Sequence, residues 1–447
     1  MLSVQDRFLK QPHVPAFIVD NITPHDVAKS IIDGRQREPF YIFDMDETWR
    51  LIKNFKEKLP RVEIFYAVKA NDADIMIKLA VAMGLGFDCA SPGEISKIIQ
   101  LNVRPTSIIY AVPAKTPEQM VYARTVGVRH TTFNTSCELK KMKQYWPDAK
   151  LLIRIRVDSD CVYKLGEKFG CDYDTEAKPL LDEAAALGLH VKGVAFHVGS
   201  ACFSEQSYVV ALKQSKALFD YEKSAGRHMD ILDIGGGFFA DSIGSFEKAA
   251  NLINKYIDEL FPDPDIQIVA EPGRYLCETA FTLYCNINSV RQSIQNDKRL
   301  NMVYINDGIH GTLRSYEEWH SVQKLEQQDN EVLEDTILWG PSSDLNDRMK
   351  QVQLPRCTPN DWLVFKMQGC YSLVFAGRFS GFETALTRPV ISTDLWYQIK
   401  NCSVFTPFDF VLNPDISAPL PSTLPPLIPQ RKDENFENKY KLETLID

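Results

Sequence analysis

Between about residues 60 and 275, short apolar runs alternate with longer amphipathic stretches. The runs fall at 64–68, 86–89, 107–111, 130–133, 151–157, 191–197, 231–234 and 266–271. They are rich in β-branched and aromatic residues and end in turn-forming ones, the pattern of buried parallel strands. The stretches between them, 73–83, 93–100, 117–125, 137–145, 175–187, 205–224 and 246–260, repeat apolar positions at helical spacing. Eight candidate strands alternating with such helical stretches predict an α/β fold whose parallel sheet closes into a (β/α)8 barrel of the TIM type.

Past residue 278 the texture changes. Runs at 281–290, 302–305, 361–365, 371–375 and 402–405 read as strands with few helices between them. This predicts a C-terminal antiparallel β domain. The charged segments 294–300 and 323–335 read as excursions on it, and the extended stretch 17–43 is expected to join it. Six prolines between 414 and 429, followed by RKDENFENKYKLETLID, predict a flexible tail. The expected organisation is an N-terminal segment (1–38) contributing to the β domain, a barrel (39–278), the β domain (279–411) and a tail (412–447).

Composition narrows the function classes. The 447 residues are 45% hydrophobic and 24% charged, ordinary for a globular chain with a large core. A formal net charge of −9, with no basic aromatic stripe, argues against a nucleic-acid surface. The opening MLSVQDRFLK has no long apolar core and no run is long enough to span a bilayer, so neither a signal peptide nor a membrane anchor is expected. The ten cysteines show no C-x-x-C spacing, and many sit in apolar runs. Reduced, buried thiols in a cytoplasmic protein are the expectation, with no metal site.

Residues at the C-terminal ends of barrel strands face the active site in folds of this type. Lys69 follows the first run, Asp88 lies at the end of the second and Arg154 in the fifth. His197 ends the sixth, Gly235, Gly236 and Gly237 follow the seventh, and Glu271 ends the eighth. Singly, each has a duller explanation: a lysine reaching solvent, a capping aspartate, a structural arginine, a core histidine, a turn. Their recurrence at equivalent positions points to one site. Burial lowers an amine's pKa, and a neutral Lys69 would form a Schiff base with an aldehyde. The glycines would admit a phosphate to backbone N–H groups. Glu271, beside Gly273 and Arg274, would face a ring nitrogen while Arg274 holds phosphate. His197 would stack on the ring and Ser200 donate to the phosphate.

The segments FYAVKAN, GFDCAS, AFHVGS, DIGGGF and EPGRY closely resemble the fold type III (alanine-racemase-like) pyridoxal-phosphate decarboxylases, above all the eukaryotic ornithine decarboxylase family. The resemblance runs from about 38 to 410 and takes in LLIRIRVD, YINDGIHG, WGPSSD and 369–382. It implies that Lys69 carries the cofactor covalently, that His197 stacks on it and that Glu271 binds its nitrogen. Ser200, Gly237, Arg274 and Tyr371 would hold the phosphate, with Asp88 and Arg154 in the supporting polar cluster. It also implies a head-to-tail homodimer whose two sites are each completed by the partner's β domain.

Three departures bear on substrate. WGPSSD places Ser343 where the family's W-G-P-x-C-D has a thiol that helps direct reprotonation. Serine is a far weaker acid, which implies slower turnover, or protonation on the cofactor that yields an aldehyde in place of an amine. Asp344, the family's partner for the substrate's distal amine, is kept. In TLRSYEEWH the family's second amine-binding aspartate falls on Trp319. Either Glu318 substitutes, or Glu317 and Glu318 are solvated charges. Finally, His310 replaces the tyrosine of the family's D-G-x-Y-G, while Phe379 matches an aromatic lining the substrate pocket. A diamino acid and a bulkier, less polar amino acid both stay open.

The resemblance therefore implies amino-acid decarboxylation, by family default ornithine to putrescine. A non-catalytic regulator resembling the antizyme inhibitors is the alternative, with antizyme as candidate partner and a modest basic cluster at Lys140, Lys141 and Lys143. A racemase on the same fold stands behind both, since WGPSSD and 369–382 favour the decarboxylase branch.

Overall fold

The computed structural model describes residues 12–240, 245–295, 298–314 and 321–421. All eight expected barrel strands are present: Val62–Ala67, Gly86–Cys89, Ile108–Tyr110, His130–Phe133, Lys150–Ile155, His190–Phe196, Ile231–Asp233 and Gln267–Ala270. Each pairs in parallel with the next, and Gln267–Ala270 closes on Val62–Ala67 with Ile268 opposite Val62 and Ala270 opposite Ile64. Inward-facing Phe65, Ile109, Leu152, Ala195, Ile231 and Val269 fill the interior as one packed cluster. The surrounding helices start where their sequences supply a cap. Ser91 accepts the Glu94 N–H ahead of Pro92–Gln100, and Thr116 forms a capping box with Gln119 ahead of Pro117–Thr125.

The second domain differs from the antiparallel expectation. Its ten-stranded sheet is mixed. Lys298–Ile305 runs parallel to Leu333–Trp339, and Leu386–Ile391 runs parallel to both Ala16–Ile18 and Phe40–Asp44. The N-terminal strand Ala16–Ile18 therefore enters the sheet. Phe40–Asp44, although it precedes the barrel directly, pairs with Phe281–Gln295 in that sheet. Within the charged segment expected as an excursion, residues 294–295 and 298–300 lie in paired antiparallel strands, with Gln295 opposite Lys298.

Two expected strands are absent. Residues 371–375 instead turn: Tyr371 takes a left-handed backbone (φ 56°), which no strand accommodates, and a 3-10 turn Leu373–Phe375 follows. Residues 402–405 form a turn whose Phe405 packs on Phe410, ring centroids 5.0 Å apart. At the start of the expected tail, Leu420 is buried and its N–H donates to the Gln36 Oε1 (2.9 Å). The remainder, 422–447, lies outside the described residues. Among the described residues no helix is long and apolar enough to cross a membrane.

Candidate active site

The first barrel strand runs into a single 3-10 turn, Val68–Ala70, that carries Lys69 over the barrel mouth. Both domains pin this turn. The Tyr66 hydroxyl donates to the Asn71 carbonyl (2.7 Å), Asn71 Nδ2 donates to the Gly369 carbonyl (2.8 Å), and the Tyr371 N–H donates to the Ala70 carbonyl (2.9 Å). A side chain at Gly369 would collide with the Cys277 carbonyl, so only glycine lets the sheet domain dock this closely.

Lys69 Nζ donates to the fully buried Asp88 carboxylate at the end of the second strand. Burial pulls the amine's pKa down, but Asp88, with Glu271 behind it, outweighs burial and holds it above its ordinary value. A carboxylate against the amine favours the charged form, opposing the lowering that burial alone would give. Replacing Asp88 with Asn leaves burial with less opposition. We expect the pH at which Lys69 reacts with an amine-directed reagent to fall by at least about one unit, ~1.4 kcal/mol. Peptide mapping across a pH series measures it, and an unchanged profile contradicts this electrostatic assignment.

Opposite Lys69 stand two further carboxyls. Glu271 follows the eighth strand, its N–H donating to the Gly235 carbonyl (2.7 Å); Asp233 ends the seventh and accepts the Gly235 N–H (2.9 Å). Burial raises both pKa values. For Glu271 the neighbouring Asp233 and Asp88 add to the rise, and the cations Lys69 and Arg154 oppose it. Glu271 Oε1 and Asp88 Oδ1 are buried with no hydrogen-bond partner among the described residues. Buried acceptors left this way are costly, so each is a ready receptor for a donor on a bound molecule.

The remaining groups form a cradle beside this acidic wall. Gly235 and Gly237 have φ of +63° and +112°, and a Cβ on Gly236 would lie 3.0 Å from His197 Nε2 and 2.8 Å from the Glu271 carbonyl. Only glycines leave that space open. Arg274 is buried, paired with Glu278 through Nη1, and its Nε lies 3.3 Å from Ser200 Oγ. The Tyr371 ring centre is 5.6 Å from its guanidinium carbon. Gly273 caps the short helix Arg274–Cys277, where a side chain would meet Ala70 Cβ at 2.7 Å. His197 is neutral: burial, then Arg154 and Lys69, push its pKa well down. Its Nδ1 accepts the Gly199 N–H (3.0 Å), which assigns the ring proton to Nε2. The Arg154 guanidinium lies 5.6 Å from the Phe169 ring centre.

The structure thus brings Lys69, Asp88, Arg154, His197, Ser200, Gly235, Gly236, Gly237, Glu271, Gly273, Arg274 and Tyr371 to one barrel mouth. It also adds residues the sequence reading passed over. Asp233 is an acid inside the apolar run ILDIGGG, and that oddity was its signal. Glu94 accepts the Ala90 N–H (2.6 Å) behind Asp88, and burial lifts its pKa to about 7. Glu278 sits one helical turn after Arg274, the spacing of an ion pair.

The expected substrate residues lie elsewhere, on the sheet domain. Asp344 Oδ2 pairs with His310 Nε2 at 2.7 Å, and the His310 ring is 4.5 Å from that of Phe379. Ser343 is exposed beside them. Glu318 and Trp319 lie outside the described residues.

Comparison with known proteins places this arrangement. Residues 45–278 match the family described as pyridoxal-dependent decarboxylase, pyridoxal binding domain. The chain is 36% identical over 402 residues to ornithine decarboxylase of Rattus norvegicus, covering 83% of this chain and 87% of that protein. It is 34% identical over 392 residues to antizyme inhibitor 2 of Xenopus laevis, covering 84% and 86%. A crystal structure of the Paramecium bursaria Chlorella virus arginine decarboxylase bound to agmatine superposes with a TM-score of 0.77 at 32% identity, covering 82% of this chain and all of that one.

The donor set fits pyridoxal phosphate. It offers an amine for an aldehyde, the unpartnered buried Glu271 Oε1 for a ring nitrogen, and a glycine cradle flanked by Arg274 and Ser200 for a phosphate.

Proposed function

Because the chain belongs to the eukaryotic ornithine-decarboxylase-like family and is a pyridoxal-phosphate-dependent carboxy-lyase, we propose that it decarboxylates a basic amino acid, by default ornithine to putrescine. The observation that carries this reading is the intact charge array around Lys69, with Asp88, Asp233, Glu271 and Arg154 all in place. Bound here, pyridoxal phosphate supplies an electron sink for the pair left behind when the carboxylate departs as carbon dioxide.

The chain's own groups do the rest. Lys69 gives the cofactor aldehyde its anchoring amine, and Asp88 is placed to take up the Lys69 proton as that amine becomes nucleophilic. Glu271 places negative charge where a ring nitrogen must stay protonated. Arg274, Ser200, Tyr371 and the N–H groups of Gly236 and Gly237 would hold the phosphate, the Gly235 N–H being committed to Asp233. His197, neutral and with its proton on Nε2, offers an imidazole face without adding a competing cation.

The outlying cluster of Ser343, Asp344, His310 and Phe379 has its role if two copies pair head to tail, each sheet domain completing its partner's barrel mouth. Asp344 then meets the substrate's distal amine and Ser343 borders the reacting carbon. The imidazole on Asp344 competes with that amine, which disfavours ornithine relative to a chain with tyrosine at 310.

Mixing inactive Lys69→Ala with inactive Asp344→Ala subunits tests the shared site. Random reassortment makes half the dimers mixed, each with one intact site, so about a quarter of wild-type activity should return. No recovery in demonstrably mixed dimers contradicts it.

Similarity to an antizyme inhibitor, together with serine at 343, supports a second reading as a regulator that binds antizyme without turnover. Cofactor-loaded protein that captures antizyme yet releases no carbon dioxide would favour it.

A further inference from the structure

A short antiparallel ribbon, Cys161–Tyr163 against Ser200–Cys202, lies beside the phosphate end of the site. Ser200 stands opposite Tyr163 and Cys202 opposite Cys161. The next pair outward is hydrogen-bonded, Phe203 N–H to the Asp160 carbonyl at 3.0 Å. The Cys202 N–H instead turns away from the ribbon, toward the Gly237 carbonyl at 3.3 Å. Cys161 and Cys202 therefore form a non-hydrogen-bonded pair with side chains on the same face. Such pairs bring Cα atoms to about 4.5 Å, inside the range of about 4.4–6.8 Å that a disulfide spans.

Both thiols are free, each donating weakly to a carbonyl: Cys161 Sγ to Tyr163 (3.3 Å) and Cys202 Sγ to Ser204 (3.4 Å). Each residue keeps 8% exposure, and the neighbouring Val162, Tyr163 and Phe203 are exposed. A second close pair, Cys277 and Cys370, lies fully inside the protein with no such route for a reagent.

The ribbon also bears on the site. Ser200, which meets Arg274, opens the second strand; Gly199 (φ +98°) packs so tightly on Cys161 Sγ that a Cβ there would collide with it. We propose that Cys161 and Cys202 form a reversible disulfide, made by a peroxide, that latches this ribbon across the phosphate-binding end of the site. One thiolate attacks the peroxide oxygen, giving a sulfenic acid and water; the second thiol displaces the hydroxyl as another water. Two thiols and one hydrogen peroxide thus become a disulfide and two waters, and a dithiol reverses the change. A transient bridge of this kind belongs to redox sensing in a reducing compartment. Because the latch fixes Ser200 in the ribbon beside Arg274, it slows entry of the cofactor phosphate.

The test starts from full-length protein stripped of cofactor. Hydrogen peroxide treatment, alkylation and digestion without reduction should yield a peptide joining Cys161 to Cys202. The visible absorbance that develops on adding pyridoxal phosphate should then grow at least about tenfold more slowly and recover with dithiothreitol, as expected when a gating element is locked. Cys161→Ser and Cys202→Ser should each lose both effects. Recovery of both peptides singly alkylated, a bridge between other cysteines such as Cys277 and Cys370, or a Cys161–Cys202 bridge with unchanged uptake would each overturn the proposal.

Discussion

Lys69→Ala is expected to abolish carbon dioxide release, by about 10,000-fold or more, ~5.5 kcal/mol in the barrier at ~1.4 kcal/mol per decade. Among the described residues, no other amine is placed at this barrel mouth. The other lysine deep in the barrel, Lys115, is committed to the Val112 and Thr132 carbonyls and to Glu138 at 2.6, 2.9 and 2.9 Å. The variant should fold, because the turn that carries Lys69 is held by hydrogen bonds of Ala70 and Asn71 that the substitution leaves in place. Its loss leaves the buried Asp88 carboxylate without its Lys69 ion-pair partner. An unchanged circular dichroism spectrum with no cofactor absorbance is the expected signature. Residual turnover within tenfold of wild type would mean that another group carries the chemistry.

Glu271→Gln has the second largest expected effect, and it separates catalysis from stability. The amide keeps the shape of the side chain but cannot hold negative charge opposite a protonated ring nitrogen. Phosphate contacts are untouched, so cofactor should still bind while carbon dioxide release falls about 100- to 1,000-fold, the cost of losing one preorganised electrostatic partner.

In the cofactor-free protein the same change should stabilise. Glu271 has its folded pKa raised from an ordinary 4.5 by burial and by Asp233. A raised carboxyl holds its proton in the folded state after the unfolded chain has lost it. Folding stability therefore falls as pH climbs above 4.5 and levels off only when the folded group ionises. Glu271→Gln removes that contribution, so its melting temperature should decline less steeply with pH and lie above that of wild type at neutrality. A steeper decline would show that Glu271 is ionised and paired in the folded protein.

Much of this site was legible in the chain because barrel strands announce themselves. A short apolar run followed by Lys, Asp, His, Gly or Glu marks both a strand and the end that faces chemistry. What escaped was whatever depends on neighbours far apart in sequence. The burial of Lys69 is visible in a local pattern, whereas its ion-pair partner Asp88, 19 residues away, is not. Asp233 was hidden inside its own strand, and its partner Glu271 comes from the adjacent one. The mixed sheet was missed because its parallel pairs join Phe40–Asp44 to Leu386–Ile391 across most of the chain, which no local alternation reports. Cys161 and Cys202 likewise look unrelated until the ribbon sets them face to face.

The central claim is that this barrel mouth, loaded with pyridoxal phosphate, removes the carboxylate of an amino acid. The most direct test is release of labelled carbon dioxide from carboxyl-labelled ornithine, lysine, arginine, leucine and aromatic amino acids, with the organic product identified. The account predicts release from at least one basic amino acid, abolished by Lys69→Ala, with amine as the main product and an aldehyde fraction that Ser343→Cys reduces. Cofactor-loaded wild-type protein that releases carbon dioxide from none of them would contradict it.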